Sequence, residues 1–419
     1  MQSSAPSTLN ARTSDPVEMG WMVGAPPPPE KLIRFSDGSW FRFPQTRWSF
    51  SNIRQLMPTR IVRRGNGFPS PLVKEERTDI DALTFQPIGR TDSMTWAESL
   101  SANYTDGILI LHRGRIIYER YFGALTADRP HIAMSVTKSF VATVAATLIA
   151  EGTLDQGATV ARYLPELQSS AIGDATIRQL LDMTTSFDYT EDYTDPNSPV
   201  WDLSRAGGFL ARPADYEGPE SFFEYLKTLK KSGPHGERFV YKTPNTDTLG
   251  AVLRRVTGKS LSDLLSERLF ARLGAEHDAF FTVDPTGAEF AGAGLNLTVR
   301  DLARFGEMMR LGGRANGEQI VPKAVIDDIL RGGDRATFAL AGYATLPGWS
   351  YRTMWWVSHN DHAVFTGRGI HGQAIYIDPA AEMVIARFAS HPLAANINLD
   401  PASLPAYAAV ARHLMTTSG

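Results

Sequence analysis

Ala133-Met134-Ser135-Val136-Thr137-Lys138-Ser139-Phe140 opens a run of mostly apolar residues that continues to Ala150. Val136, Phe140, Val141, Val144, Leu148 and Ile149 cover most of a helix surface, and alanines fill the remainder. A helix that is apolar all round is a buried helix. Glu151-Gly152 ends it, with Gly152 suited to a left-handed C-terminal cap. Ser135 therefore falls at or near the N-terminus of a buried helix. Lys138 lies one turn on, where residues three apart share a face with Cβ atoms roughly 5–6 Å apart. Burial strips a lysine of hydration and favours its neutral form, and the positive end of the helix dipole adds to that. A neutral amine beside a hydroxyl can take the hydroxyl proton and so activate a serine nucleophile. Ser-x-x-Lys is short, and about one occurs by chance in a chain of this length. Taken alone, it is also compatible with a serine that only caps the helix and a lysine that is only solvated; a lysine inside an Ala/Val-rich helix start is what favours a catalytic role.

Composition bounds the rest. A chain of 419 residues is long enough for one large domain or two interleaved ones. Its 43% hydrophobic and 21% charged content suits a soluble globular protein. A formal net charge of −3 gives no strong pull toward nucleic acid or anionic membrane. The absence of cysteine excludes disulfides, thiol catalysis and Cys-ligated metal. The start, MQSSAPSTLNARTSDPVE, lacks the basic-then-apolar pattern of a signal peptide. No stretch of 18 uncharged apolar residues exists to span a membrane. A cytoplasmic location is the expectation.

Working outward, residues 106–123 form two β-rich runs around His112-Arg113-Gly114, a hairpin pattern. On the N-terminal side, residues 1–30 are rich in Ser and Pro and read as an extended arm without its own core. Residues 31–75 carry Phe35, Trp40, Phe41, Phe43, Trp48 and Phe50 and read as a segment wrapped over a larger body by packing. On the C-terminal side, 176–183, 219–229, 245–257 and 261–273 look helical, while 186–213 looks like loop. Thr298-Val299-Arg300-Asp301 is a capping signal ahead of a helix over 302–311. Strand patterns return at 354–358, 363–366, 373–378 and 383–388, and 402–415 reads as a closing helix. The expected fold is α+β: an antiparallel sheet built from both chain ends and flanked by helices, with an all-helical subdomain inserted. The expected division is an arm and wrapping segment (1–75), a first α/β part (76–155), a mostly helical part (156–300) and a second α/β part (301–419). A cleft between the two bodies is the natural ligand site.

From about residue 105 onward the chain resembles the penicillin-recognising serine hydrolases, which include class C β-lactamases, DD-peptidases and family VIII carboxylesterases. It looks most similar to the 6-aminohexanoate-dimer hydrolases, which cleave nylon oligomers. The resemblance rests on three motifs in order. Ser135-Val136-Thr137-Lys138 follows a strand hairpin at a helix start. Tyr241-Lys242-Thr243-Pro244-Asn245 carries the Tyr-x-x-x-Asn spacing of the nylon-oligomer branch, where many relatives have Tyr-x-Asn. Gly369-Ile370-His371-Gly372 stands where β-lactamases have Lys-Thr-Gly. The loop Asp188-Tyr189-Thr190-Glu191-Asp192-Tyr193 also looks like that branch.

The resemblance implies a β-lactamase-like fold and a serine hydrolase that acts on a small ester or amide through an acyl-enzyme. Ser135 is then the nucleophile, with Lys138 and Tyr241 sharing proton transfer. A lysine ammonium near the tyrosine would favour its phenolate and lower its pKa. The N–H groups of Ser135 and Ile370 would form the oxyanion hole. Asn245 either caps the helix that begins there or positions Lys138 or substrate. His371 is a general base, or else a wall or hydrogen-bond anchor of the site, and Tyr193 is a substrate-touching lid residue or a loop anchor. In the nylon-oligomer hydrolases an acidic residue pairs with the substrate amine. The matching place here holds Ser204, with Asp202 two residues away, and a further substrate-facing position falls at Gly292. Ester cleavage is therefore expected to exceed cleavage of the 6-aminohexanoate dimer, and Ser204→Asp is expected to raise the latter. The missing Lys-Thr-Gly lysine weighs against a β-lactamase or DD-peptidase, and the intact motifs weigh against a silent binding homologue. His359-x-x-His362 is the one close histidine pair and no His-Glu-x-x-His occurs, so neither metal nor cofactor is expected. The expected partner is a small-molecule substrate, with no nucleic acid and no membrane, and a homodimer is compatible with the chain.

Overall fold

The computed structural model describes residues 9–417. The first eight residues of the arm, where the signal-peptide reading begins, lie outside them.

The hairpin around His112 forms as read. Strands Thr105–His112 and Arg115–Tyr121 are joined by Arg113-Gly114, both with positive φ (52° and 75°). Two left-handed residues in a row make the tight turn whose twist matches that of the flanking strands. The late strands join this hairpin in one seven-stranded antiparallel sheet. Its spatial order is Ser350–Arg352, Trp355–Val357, Phe365–Arg368, Ala374–Asp378, Met383–Ala389, Thr105–His112, Arg115–Tyr121. The seam between the chain ends runs Met383↔His112 to Ala389↔Thr105.

Both faces of this sheet are covered, and the period-2 alternation of a strand divides its side chains between two cores. Ile108 and Ile110 pack with Trp96, Val410 and Leu414, the last two from the closing helix Asp400–Thr417. Leu109 and Leu111 point the other way, into the main core with Phe140, Leu302 and Phe305. Phe140 of helix Val136–Ala150 stacks on Phe305 of helix Val299–Arg310, with ring centroids 3.7 Å apart. Burying a side chain of this kind stabilises the fold by about 1.5–3 kcal/mol.

The middle of the chain departs from the all-helical expectation. Ala279–Thr282 and Leu295–Leu297 are strands. Together with Thr59–Val62 and His131–Ile132 they form a second, four-stranded antiparallel sheet. These strands are two to four residues long, too short to leave a period-2 signature. Their effect is local and functional. Leu295 accepts a backbone hydrogen bond from Ala133 (2.8 Å), and Phe50 accepts one from Ile132 (2.9 Å), so the residues leading into Ser135 are held from both sides. Within residues 31–75, Trp40, Phe50 and Ile53 are fully buried in the main core. Thr298 caps its helix as expected, its Oγ1 accepting from the N–H of Asp301 (3.1 Å), though the helix starts at Val299 and not at 302. Among the described residues no helix is long and apolar enough to cross a membrane.

Candidate active site

Helix Val136–Ala150 begins directly after Ser135, and twelve of its fifteen residues are buried. Met134 holds a positive φ of 46°, so the chain turns sharply into the helix. Ser135 occupies the N-cap position, yet its side chain makes no capping hydrogen bond. Its Oγ lies 3.0 Å from Nζ of Lys138. The serine is therefore not spent on the helix end.

Lys138 is 1% exposed, and its Nζ also donates to the carbonyl of Gly292 (2.7 Å). Burial pushes its pKa down from the ordinary value to about 8, against the opposing charges of Glu191 and Asp247. A neutral amine that donates one N–H to Gly292 keeps a lone pair free for the Ser135 proton. Asp247, fully enclosed in helix Pro244–Thr257, shows the mirror image: burial raises its carboxyl to about 7, with Lys138 pulling it down. Its Oδ1 accepts from the N–H of Gly292 (3.0 Å), and its Oδ2 has no hydrogen-bond partner among the described residues. Two buried groups coupled in this way titrate as a pair. The sequence motif around Tyr241 assigns no role to Asp247, although it sits six residues after Tyr241 on a helix that is otherwise buried at that turn.

Tyr241 lies beside this pair. Lys138 Nζ is 5.1 Å from its ring centroid, and the ring stacks on Trp356 at 5.6 Å. The expected drop in its pKa is reversed. Burial and the charge of Glu191 push the phenol well above its ordinary value, and contact with Ser135 opposes them only in part. Lys138 faces the ring and is itself depressed, so it does not hold a phenolate. Tyr241 is a neutral phenol with a proton to give.

The turn at 369–372, a short 3-10 segment between strands Phe365–Arg368 and Ala374–Asp378, and not the strand start expected from sequence, crosses close to the Ser135 turn. A Cβ on Gly369 would stand 2.9 Å from the Ala133 carbonyl oxygen and 3.0 Å from Met134 Cβ, so only glycine allows this approach. It brings Ile370 to the cleft beside Ser135. The N–H groups of Ser135 and Ile370 have no acceptor among the described residues, which is what an oxyanion hole requires.

Three expectations need correction. His371 does not face the cleft. Its Nδ1 is 2.7 Å from the His391 carbonyl, and its ring meets Phe41 and Phe50 edge-on. Burial lowers its pKa to about 4, so it anchors the 369–372 segment as a neutral ring. Asn245 neither caps its helix nor reaches Lys138. Its Oδ1 accepts from Thr185 Oγ1 (2.7 Å), and its Nδ2 donates to the Lys242 carbonyl (3.1 Å) and to Met183 Sδ. Gly292 is not a substrate-facing gap: it carries the backbone groups that hold Lys138 and Asp247, and a Cβ there would collide with Thr243 Cγ2 at 2.3 Å.

Tyr193 and Ser204 do border the cleft. The Tyr193 hydroxyl donates to Glu191 Oε2 (2.8 Å), and Glu191 Oε1 accepts from the Thr243 N–H (2.5 Å). With its proton so engaged, the Tyr193 oxygen remains able to accept from a substrate N–H. Asp202 is exposed and paired with Arg205 (3.0 Å), outside the cleft. His359 and His362 are taken up by Ser350 (2.7 Å) and Asp378 (2.8 Å), and no cluster of metal-ligating side chains occurs among the described residues.

The main cleft has a volume of about 520 Å³. Phe239, Tyr343 and Trp356 form its apolar wall, and Arg238 and Arg368 also line it. Arg368 is paired with Asp400, whereas Arg238 is exposed.

The Beta-lactamase family profile matches residues 100–400. The chain is 38% identical over 357 residues to the 6-aminohexanoate-dimer hydrolase of Paenarthrobacter ureafaciens, covering 84% of this chain and 88% of that one. A solved Bacillus anthracis protein, provisionally named a 6-aminohexanoate-dimer hydrolase, is 32% identical. It superposes with a TM-score of 0.84 over 91% of this chain and 97% of that one. The class C β-lactamase of Rhodobacter sphaeroides shares the fold at 16% identity and a TM-score of 0.54, over 75% of this chain and 99% of that one.

Proposed function

Because the chain belongs to the β-lactamase and penicillin-binding family of serine hydrolases, we propose that it cleaves small carboxylic esters, and linear amides more slowly, through an acyl-enzyme on Ser135. One observation carries the reading: a buried lysine amine, depressed to about 8, sits 3.0 Å from a serine hydroxyl that is unspent at a helix start.

The division of labour follows from the opposite pKa directions of the two neighbours. Lys138 is the base and Tyr241 the acid, each matched to its task by its surroundings. Lys138 takes the Ser135 proton as Oγ bonds to the substrate carbonyl carbon. The oxyanion lies against the N–H groups of Ser135 and Ile370. Tyr241 gives its proton to the departing oxygen or nitrogen as that bond breaks, and is reprotonated from Lys138. Water then enters, loses its proton by the same route in reverse, and releases the acid. For an amide, the Tyr193 oxygen would steady the N–H of the leaving group. An alkoxide leaves readily without that help, which is why esters are expected to be the better substrates.

The test is a hydrolysis panel of p-nitrophenyl esters, the linear 6-aminohexanoate dimer and a chromogenic cephalosporin. Short esters should be cleaved at least about 10²-fold faster than the other two. A cephalosporin rate matching the best ester would favour the β-lactamase reading instead. No lysine stands at the Gly369-Ile370-His371-Gly372 position to meet the drug carboxylate.

The acid limb of the kcat/KM profile should follow loss of a proton from the Lys138–Asp247 pair, since only neutral Lys138 can accept the serine proton. Asp247 raises the Lys138 pKa, as does Glu191. Asp247→Asn removes one of these two charges, so the limb should move to lower pH. A limb that stays in place, or moves up, would mean that Lys138 does not set it.

A further inference from the structure

The cleft has a second arm. Ser135, Tyr193 and Ile370 border both arms, but Tyr241 borders only the large one. The proposed leaving-group acid therefore stands on the 520 Å³ side, which assigns the leaving group to that side. The acyl chain is left with the opposite arm, which encloses only about 30 Å³. A single water needs roughly 10–15 Å³, so this arm holds about two atoms of that size.

Its walls are largely Phe41, Trp201, Phe209, Leu210 and Phe290, and away from Ser135 and Tyr193 the polar residues among them are Ser204 and Thr243. The Ser204 hydroxyl is spent on the carbonyl of Val200 (2.8 Å). The rings brace one another: Phe41 meets Phe209 edge-on at 6.0 Å and Phe209 meets Phe290 at 5.2 Å. Phe209 is also wedged against Trp40 at 5.0 Å. The arm is thus closed by aromatic side chains from separate parts of the chain, and a close-packed wall of this kind does not yield to one extra methylene without cost.

The geometry points to an enzyme specific for short acyl groups of two or three carbons joined to a larger, partly apolar leaving group. This rests on the serine-hydrolase reading above and adds which half of the substrate is restricted. In the step implied, the acetyl or propionyl carbon bonds to Ser135 Oγ as its bond to the leaving oxygen breaks. That oxygen takes the proton supplied through Tyr241, and water later frees the short acid. A 6-aminohexanoyl chain has neither the room nor a counter-charge in this arm. Ser204→Asp alone, contrary to the expectation from sequence, therefore does not create dimer activity.

The test is a series of p-nitrophenyl acetate, propionate, butyrate, hexanoate and octanoate, with Ser135 acylation followed by mass spectrometry. The acylation rate should fall at least about tenfold between propionate and hexanoate, the scale on which a pocket discriminates by chain length. Phe209→Ala should lift the hexanoate rate relative to acetate. Leu210→Ala, a smaller truncation, should do the same if the first variant does not fold. Wild-type acylation by octanoate as fast as by acetate would overturn the short-acyl assignment and leave the hydrolase reading intact, as would folded variants that keep the same chain-length profile. Failure of every ester to acylate Ser135 would remove the hydrolase reading, and this inference with it.

Discussion

Ser135→Ala should lower ester turnover by about 10⁴- to 10⁶-fold, the scale on which loss of a serine nucleophile is felt, while the protein stays folded. The second half of that expectation follows from the helix end. The Ser135 side chain makes no capping bond, so removing it costs the helix little. What it removes is the hydroxyl 3.0 Å from the Lys138 amine. A fluorophosphonate probe should add once per chain, on Ser135, and the variant should take none. An adduct on any other serine, or a variant that still turns over ester at a tenth of the original rate, would sink the assignment.

Lys138→Ala and Tyr241→Phe should each lower kcat/KM by about 10²- to 10⁴-fold, the usual worth of a positioned base or acid. The double variant should be scarcely worse than the poorer single one, because a proton relay with one member missing is already broken. The two single variants should also differ in character. Tyr241→Phe leaves the base, so an activated ester with a good leaving group should be spared more than an alkyl ester that needs protonation. Lys138→Ala should penalise both alike. Near-normal cleavage of alkyl esters by Tyr241→Phe would rule out the phenol as the leaving-group acid.

Much of this centre was legible in the sequence, and the limits of that legibility are physical. The apolar run after Ser135 shows a buried helix because a helix without a polar face has nowhere else to go, and Lys138 stands out within it for the same reason. The hairpin at 105–121 carries its own turn chemistry in Arg113-Gly114. What sequence could not show was the direction of side chains in loops. His371 and Ile370 are neighbours, yet only Ile370 borders the cleft, because the segment turns over at His371, whose φ is +62°. Asn245 matched a motif but is consumed by Thr185 and Lys242. The sign of the Tyr241 shift depends on loss of hydration in the folded cleft and on the nearby charge of Glu191, which no local pattern states. The short strands of the four-stranded sheet owe their existence to partners far away in the chain and left no periodicity to find. Asp247 and the Gly292 backbone, which together hold Lys138 in place, come from a helix and a loop that touch only in the folded molecule.

The seam at which Met383–Ala389 pairs with Thr105–His112 matters during synthesis as well as in the finished fold. On the ribosome, the hairpin is complete long before its neighbour exists. At roughly 5–20 residues per second, strand Thr105–His112 waits on the order of tens of seconds with one edge unpaired and its apolar faces uncovered. An open strand edge is a template for other chains. Until Met383–Ala389 has emerged, the nascent chain therefore presents an edge on which another chain can pair. Ribosome-bound chains halted before Met383 should engage ribosome-associated chaperones and resist release as soluble protein, and those halted after the closing helix should not.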